Sequence, residues 1–279
     1  MEDPGLYARH GAKVFETAGA FLDELWPRLT WPDPPLPALD VGCGTGEVSR
    51  QVIAARLPRG VRLIATDVSP AMLKHADKHN ALPGVIQYDV YDAASRHLEQ
   101  TRAWEHAPYG KIFTVYSMHW IPDNRSAILN MYKLLASGGE AVFVMMATSP
   151  FLAHDIVGKD PRWSKYMQDV ELFLSPYHYS KDPTADFLQL LLDAGFEVVY
   201  RISEPRSIDY DTKEDCKGIL TSVNPFLNRI PAHEKEDFMN AVWEANLKQK
   251  SITIRRDEDT GKTKFSYNFP CILCVARKP

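Results

Sequence analysis

Apolar residues recur along this chain with two periods, and the switches between them divide it into alternating strands and helices. Between Leu6 and Leu25, Val14, Phe15, Ala18, Phe21, Leu22 and Leu25 fall on one helical face, which predicts a helix over 6–25. Five prolines between Trp26 and Pro37 end it. Short apolar runs bounded by turn residues predict strands at 37–41, 61–66, 85–88, 110–116, 141–146 and 197–201. Helical patterns lie between them, opening at Glu47 and at Ser69-Pro70 and covering 125–135 and 184–194. Ser69 reads as an N-cap, with Pro70 at the first helical position. Alternation of this kind predicts an α/β fold, a parallel-rich sheet with helices on both faces. Two stretches interrupt it. Residues at about 148–180 are crowded with aromatics, and about 212–250 is helical. Both read as insertions forming a substrate cap. A hairpin around 257–263 then leads into a last strand over 265–277. No repeat or linker divides the chain, so 1–279 is read as one domain.

The first strand runs into Asp40-Val41-Gly42-Cys43-Gly44-Thr45-Gly46 and then a helix. Strand, glycine turn and helix in that order open a nucleotide-binding unit. Glycines serve where the backbone turns too sharply for a Cβ. A dinucleotide loop has G-x-G-x-x-G spacing and holds a pyrophosphate. Here the spacing is G-x-G-x-G behind an acid, Asp40, which repels pyrophosphate and suits a cation: it can accept from an α-ammonium or neutralise a sulfonium through water. A plain turn without ligand is the bland alternative. D-V-G-C-G-T-G resembles the first motif of class I S-adenosylmethionine (SAM)-dependent methyltransferases, which implies a Rossmann-like seven-stranded sheet and a SAM site around Asp40, Gly42 and Gly44.

Position along the strands suggests the rest of that site. Asp67 ends the second strand 21 residues after Gly46, where an acid can accept from both ribose hydroxyls; Val68 and Met72 follow it, with Met72 placed to pack on adenine. Asp89 and Val90, after the third strand, are the candidates for the adenine amino group and its apolar face. The fourth strand ends in Tyr116-Ser117-Met118-His119-Trp120-Ile121. Ligands of such sheets sit beyond the carboxyl ends of the strands, so Tyr116 to Trp120 should face the transferred methyl. In the N-terminal helix Tyr7, Arg9, His10 and Lys13 are ligand-facing candidates on a lid, or else a solvated polar face.

Charge narrows the function. A net charge of −4 and a pI near 6.1 give no basic footprint for nucleic acid. The four cysteines form no disulfide framework. Cys271 and Cys274 lie in an apolar run and read as strand residues on opposite faces, not half of a metal site. No run reaches the roughly 18 apolar residues of a membrane span, and no secretory leader is evident. A cytoplasmic enzyme, monomer or homodimer, binding no metal, is the expectation.

A narrower resemblance rests on Tyr116-Ser117-Met118-His119-Trp120-Ile121, Ser175-Pro176-Tyr177-His178, Asn224-Pro225-Phe226 and Tyr267-Asn268-Phe269-Pro270. In this order they resemble the arthropod juvenile hormone acid O-methyltransferases over nearly the whole chain. The resemblance implies esterification of the carboxylate of farnesoic acid or juvenile hormone acid, with S-adenosylhomocysteine (SAH) as the other product. It implies His119 and Trp120 at the reaction centre, with Tyr7, Val14, Trp163 and His178 toward the substrate. One departure stands out: the family carries a glutamine in the N-terminal helix where this chain has Val14. Rival readings are a methyltransferase of another small carboxylic acid or metabolite, and a non-catalytic SAM-fold binding protein. Asn224-Pro225-Phe226 lies in the wrong part of the chain, and lacks the second proline, for an amino-group methylase of nucleic acids.

Overall fold

The computed structural model describes residues 3–148, 152–258 and 261–279. The start of the first insertion, at 149–151, and the hairpin tip, at 259–260, lie outside the described residues. In chain order the helices are α1 (Pro4–His10), α2 (Ala12–Leu25), α3 (Pro70–Asn80), α4 (Arg102–Glu105), α5 (Asn124–Leu134), α6 (Leu152–Val157), α7 (Pro183–Asp193), α8 (Lys213–Ser222) and α9 (Lys235–Lys248). The strands are β1 (Ala38–Val41), β2 (Leu63–Asp67), β3 (Ile86–Val90), β4 (Tyr109–Val115), β5 (Leu135–Met146), β6 (Glu197–Tyr210), β7 (Ile252–Arg256) and β8 (Thr263–Arg277).

The sheet runs β3-β2-β1-β4-β5-β8-β6, parallel through β5 and antiparallel at β8. Seven strands were expected; β7 adds an eighth beside the outer half of β8. Alternation sorts the side chains into two cores. Val142, Val144, Leu273 and Val275 face α2 and the cap helices α8 and α9. Phe143, Met145, Ile272 and Ala276 face α5 and α7. Cys271 and Cys274 fall on opposite faces as read from the sequence, and both are free thiols.

Four elements differ from the sequence reading, and one is β5, expected from 141, which starts at Leu135. The N-terminal helix breaks at Gly11, where a Cβ would come within 2.7 Å of the Tyr7 carbonyl oxygen and 2.4 Å of the Phe15 ring. The α-helix expected after the glycine loop is instead a π-helical turn over Val48–Ile53 followed by a 3-10 turn, a winding often found at functional sites. And β6, expected to stop at 201, runs to Tyr210. Pro205 is tolerated there because β6 is an edge strand, with one side unpaired in the sheet. The overlong β6 and β8 rise past the sheet and carry Ile208, Tyr210 and Tyr267 up to the cap.

Candidate active site

The carboxyl ends of β1, β2 and β4, the loop after β3, and α1, α2, α8 and outer β6 enclose a cavity of about 700 Å³. The glycine loop forms its floor. Gly42 (φ 80°) is pressed so closely on the end of β4 that a Cβ would sit 2.4 Å from Cβ of Ser117. Gly44 (φ 56°) instead faces space, its nearest neighbour being the Tyr7 ring 3.9 Å from where a Cβ would stand. The amides of Gly42 and Cys43 both donate to the Thr66 carbonyl, at 2.7 and 2.8 Å, which ties the loop to β2.

Two acids flank it, Asp40 buried and Asp67 half-buried. Asp40 Oδ2 accepts from the Ser49 hydroxyl at 2.6 Å, and burial pushes its carboxyl up to about 7 in spite of that bond. Asp67 accepts from the amides of Gly44 (3.0 Å) and Ser69 (2.8 Å), yet burial still raises it. Glu47 accepts from the Thr45 hydroxyl and also lines the cavity. Among the described residues, no lysine or arginine does. An acid-lined floor with no basic side chain suits a cationic ligand, which would favour the charged form of these carboxyls.

After β4 the chain makes a 3-10 turn, Met118–Trp120, bringing His119 and Trp120 to the cavity, with ring centroids 5.8 Å apart. The turn is pinned by Asn124, whose amide donates to the carbonyls of Met118 (2.9 Å) and Ile121 (2.6 Å); Tyr177 of the cap donates to the Asn124 oxygen at 2.7 Å. Burial lowers the His119 imidazole to about 3, so it is neutral at every physiological pH.

Of the residues expected from the sequence, Tyr7, Val14, Asp40, Gly42, Gly44, Asp67, Val68, Met72, Tyr116, His119 and Trp120 line this cavity. Four do not. Asp89 and Val90 are still in the sheet, since Val90 pairs with Asp67 across β2–β3. Asp89 accepts from Gln87 at 2.6 Å and lies 3.5 Å from His106, and Val90 is solvent-exposed. The chain leaves the sheet only at Tyr91, so Asp92 and Ala93 reach the cavity in their place. Trp163 is buried edge-on against Phe238 of α9, 5.3 Å between centroids. His178 sits 3.7 Å from Asp155 in the cap. Both are cap structure, not cavity wall.

The sequence reading missed Ser49, Asp92, Ile208, Tyr210, Ile219 and Leu220. Asp92 had a signal, a second acid three residues after Asp89. The others depend on tertiary placement. Among the described residues no group of three His, Cys, Asp or Glu is placed to hold a metal, and no helix is long and apolar enough to cross a membrane.

Residues 39–141 match the family model of a methyltransferase domain. The chain is 31% identical to juvenile hormone acid O-methyltransferase of Drosophila melanogaster over 97% of this chain and 88% of that one. It is 35% identical to trans-aconitate 2-methyltransferase of Methylobacterium radiotolerans over 87% of this chain and 88% of that one. Among solved structures it resembles phosphoethanolamine N-methyltransferase 2 of Haemonchus contortus in complex with SAM, with a TM-score of 0.54 and 17% identity, covering 95% of this chain and 52% of that one. Sheet order, glycine loop and cation-suited acids thus define a SAM-dependent methyltransferase. The loop opens its backbone to the cavity at Gly44, and the flanking acids match an ammonium and a ribose, so the residues present fit the cofactor. Within that class, the chain belongs to the juvenile hormone acid O-methyltransferase family.

Proposed function

We propose that this enzyme methylates the carboxylate of an apolar monocarboxylic acid of the sesquiterpenoid type, farnesoic acid or juvenile hormone acid. The observation that carries the reading is the cavity lining: beyond the acid cluster it is walled by Val14, Phe173, Ile208, Ile219, Leu220 and Tyr210, with no lysine or arginine among the described residues. A tricarboxylate such as aconitate would leave charged groups unpaired there, at a large desolvation cost. An isoprenoid chain gains roughly 25 cal/mol for every Å² it buries.

Asp40, Asp67 and Asp92 would hold SAM against the glycine loop. Bound SAM would supply an electrophilic methyl for a carboxylate oxygen, with its sulfur taking the electron pair of the broken carbon–sulfur bond. No proton moves, so no general base is required. The protein's task is alignment and exclusion of water. His119 is a neutral donor for a carboxylate oxygen, which orients the nucleophile without cancelling its charge. Trp120 walls the site, and Tyr7 from α1 covers the glycine loop.

The test is incubation with SAM and farnesoic acid, followed by mass spectrometry of the extract. The expected product is the methyl ester. Absence of any acid ester, with tight SAM binding, would assign a different nucleophile.

A further inference from the structure

The two insertions meet at one side chain. From the first comes a 3-10 turn, Val170–Phe173, followed by Leu174. Leu172, Phe173 and Leu174 all line the cavity, and they run from rim to interior: Leu172 is 65% exposed, whereas Leu174 is buried. From the second insertion comes another 3-10 turn, Leu227–Arg229, just past the cavity residues Val223 and Pro225. Single turns of this kind have few and poorly aligned bonds of their own, so their place is fixed from outside.

Asp169 stands at the cap position of the first turn, yet its side chain makes no capping bond. The Arg229 guanidinium takes it instead through two bonds, Nη1 to Oδ1 and Nη2 to Oδ2, the second at 3.0 Å. Those bonds hold the Asp169 carboxyl below the usual carboxylate range. The same guanidinium lies over the rings of Phe173 and Phe226, 5.5 and 5.2 Å from their centroids, and Nη1 also donates to the Tyr166 carbonyl at 3.4 Å. Phe173 in turn stands edge-on to the fully buried Phe226, with 5.1 Å between centroids. Fork and plane are both in use, which arginine offers and lysine does not. Each side chain of the ion pair is 39% exposed, and pairs so open to water contribute little to stability. What this one does is fix where the cavity wall at 172–174 stands.

We infer that Arg229 is a positioning residue that sets the length of apolar chain the site prefers, an inference resting on the carboxyl-methylation reading above. On that reading the carboxylate lies by His119 above the glycine loop, and the tail of the acid is left for the mouth. Leu172, Phe173 and Leu174 cover that tail only while their turn is pinned; released, they leave it in water. Arg229 does not line the cavity itself. It acts through the wall.

The test compares three acids that share a conjugated head and differ only in isoprene units: farnesoic acid, geranic acid and 3-methylbut-2-enoic acid. Wild type should prefer the longest. Arg229→Ala should lower kcat/KM for farnesoic acid about tenfold, mostly through KM, the loss expected when part of one isoprene unit returns to water. Geranic acid should lose less, and 3-methylbut-2-enoic acid should stay within about twofold of wild type. Arg229→Lys keeps the charge without the fork, and Asp169→Asn keeps the shape without the charge; both should weaken the preference in the same direction. The double variant Arg229→Ala with Asp169→Asn should lose no more than Arg229→Ala alone, because the two residues make one contact. SAH affinity by calorimetry should stay within about twofold, and melting temperature within about 3 °C, of wild type. A loss shared equally by all three acids would mark a merely structural role and overturn the inference, as would an unchanged kcat/KM for farnesoic acid in every variant. A wild type that binds SAH but methylates none of the three acids would instead bring down the carboxyl-methylation reading, and the inference with it.

Discussion

Asp40 is the residue whose state depends most on what fills the site. Burial holds its carboxyl at about 7, against an ordinary value of 3.8. A raised folded-state value means that the native protein holds this proton more tightly than the unfolded chain does. The resulting stabilisation is full below about pH 4, declines as pH rises, and is gone above about 7. The ligand-free enzyme should therefore melt at a lower temperature at pH 8 than at pH 5, and Asp40→Asn should flatten that slope. A bound cation reverses the preference. SAM affinity should rise with pH toward 7, by up to about tenfold per unit, and Asp40→Asn should lose both that rise and affinity at pH 8. Calorimetry across pH 5.5–8 checks both; a pH-independent SAM affinity in wild type would contradict the role given to Asp40. His119 behaves differently because it stays neutral over this range. His119→Ala should lower kcat about 10- to 100-fold while SAM affinity stays within about twofold. Undiminished turnover would remove it from the reaction centre.

At the scale of elements, the corner between α1 and α2 decides whether Tyr7 covers the loop. Gly11→Ala would force a Cβ against the Tyr7 carbonyl and the Phe15 ring. The expected cost is about 1–3 kcal/mol of stability, with a several-fold weaker SAM affinity, measured by thermal melting and calorimetry. Which elements could be read from the sequence follows from where their information lies. The glycine loop, β1, β4 and β5 were legible because turn chemistry and unbroken apolar runs are local signals. The length of β6 was not, since its outer half reads Glu204-Pro205-Arg206-Ser207 and only an open edge makes that acceptable as strand. The choice between Asp89 and Asp92 turned on how far β3 continues, a matter of its pairing with β2. Trp163 and His178 looked like ligand groups as an aromatic and an imidazole in a cap; α9 and Asp155 claim them instead. Tyr177, two residues from Ser175 and one from His178, instead braces the site through Asn124.

On the proposed function, the whole molecule works because the cap and the overlong strands β6 and β8 would turn a SAM-binding sheet into a site for one carboxylate on an apolar chain. The relatives named for juvenile hormone acid and for trans-aconitate set the two alternatives side by side. The most direct measurement is transfer of labelled methyl from SAM, with kcat/KM compared for farnesoic acid and trans-aconitate under the same conditions. The expected ratio is at least about 100 in favour of farnesoic acid, since a buried, unpaired charge on aconitate costs several kcal/mol. A ratio near one, or one favouring aconitate, would contradict it.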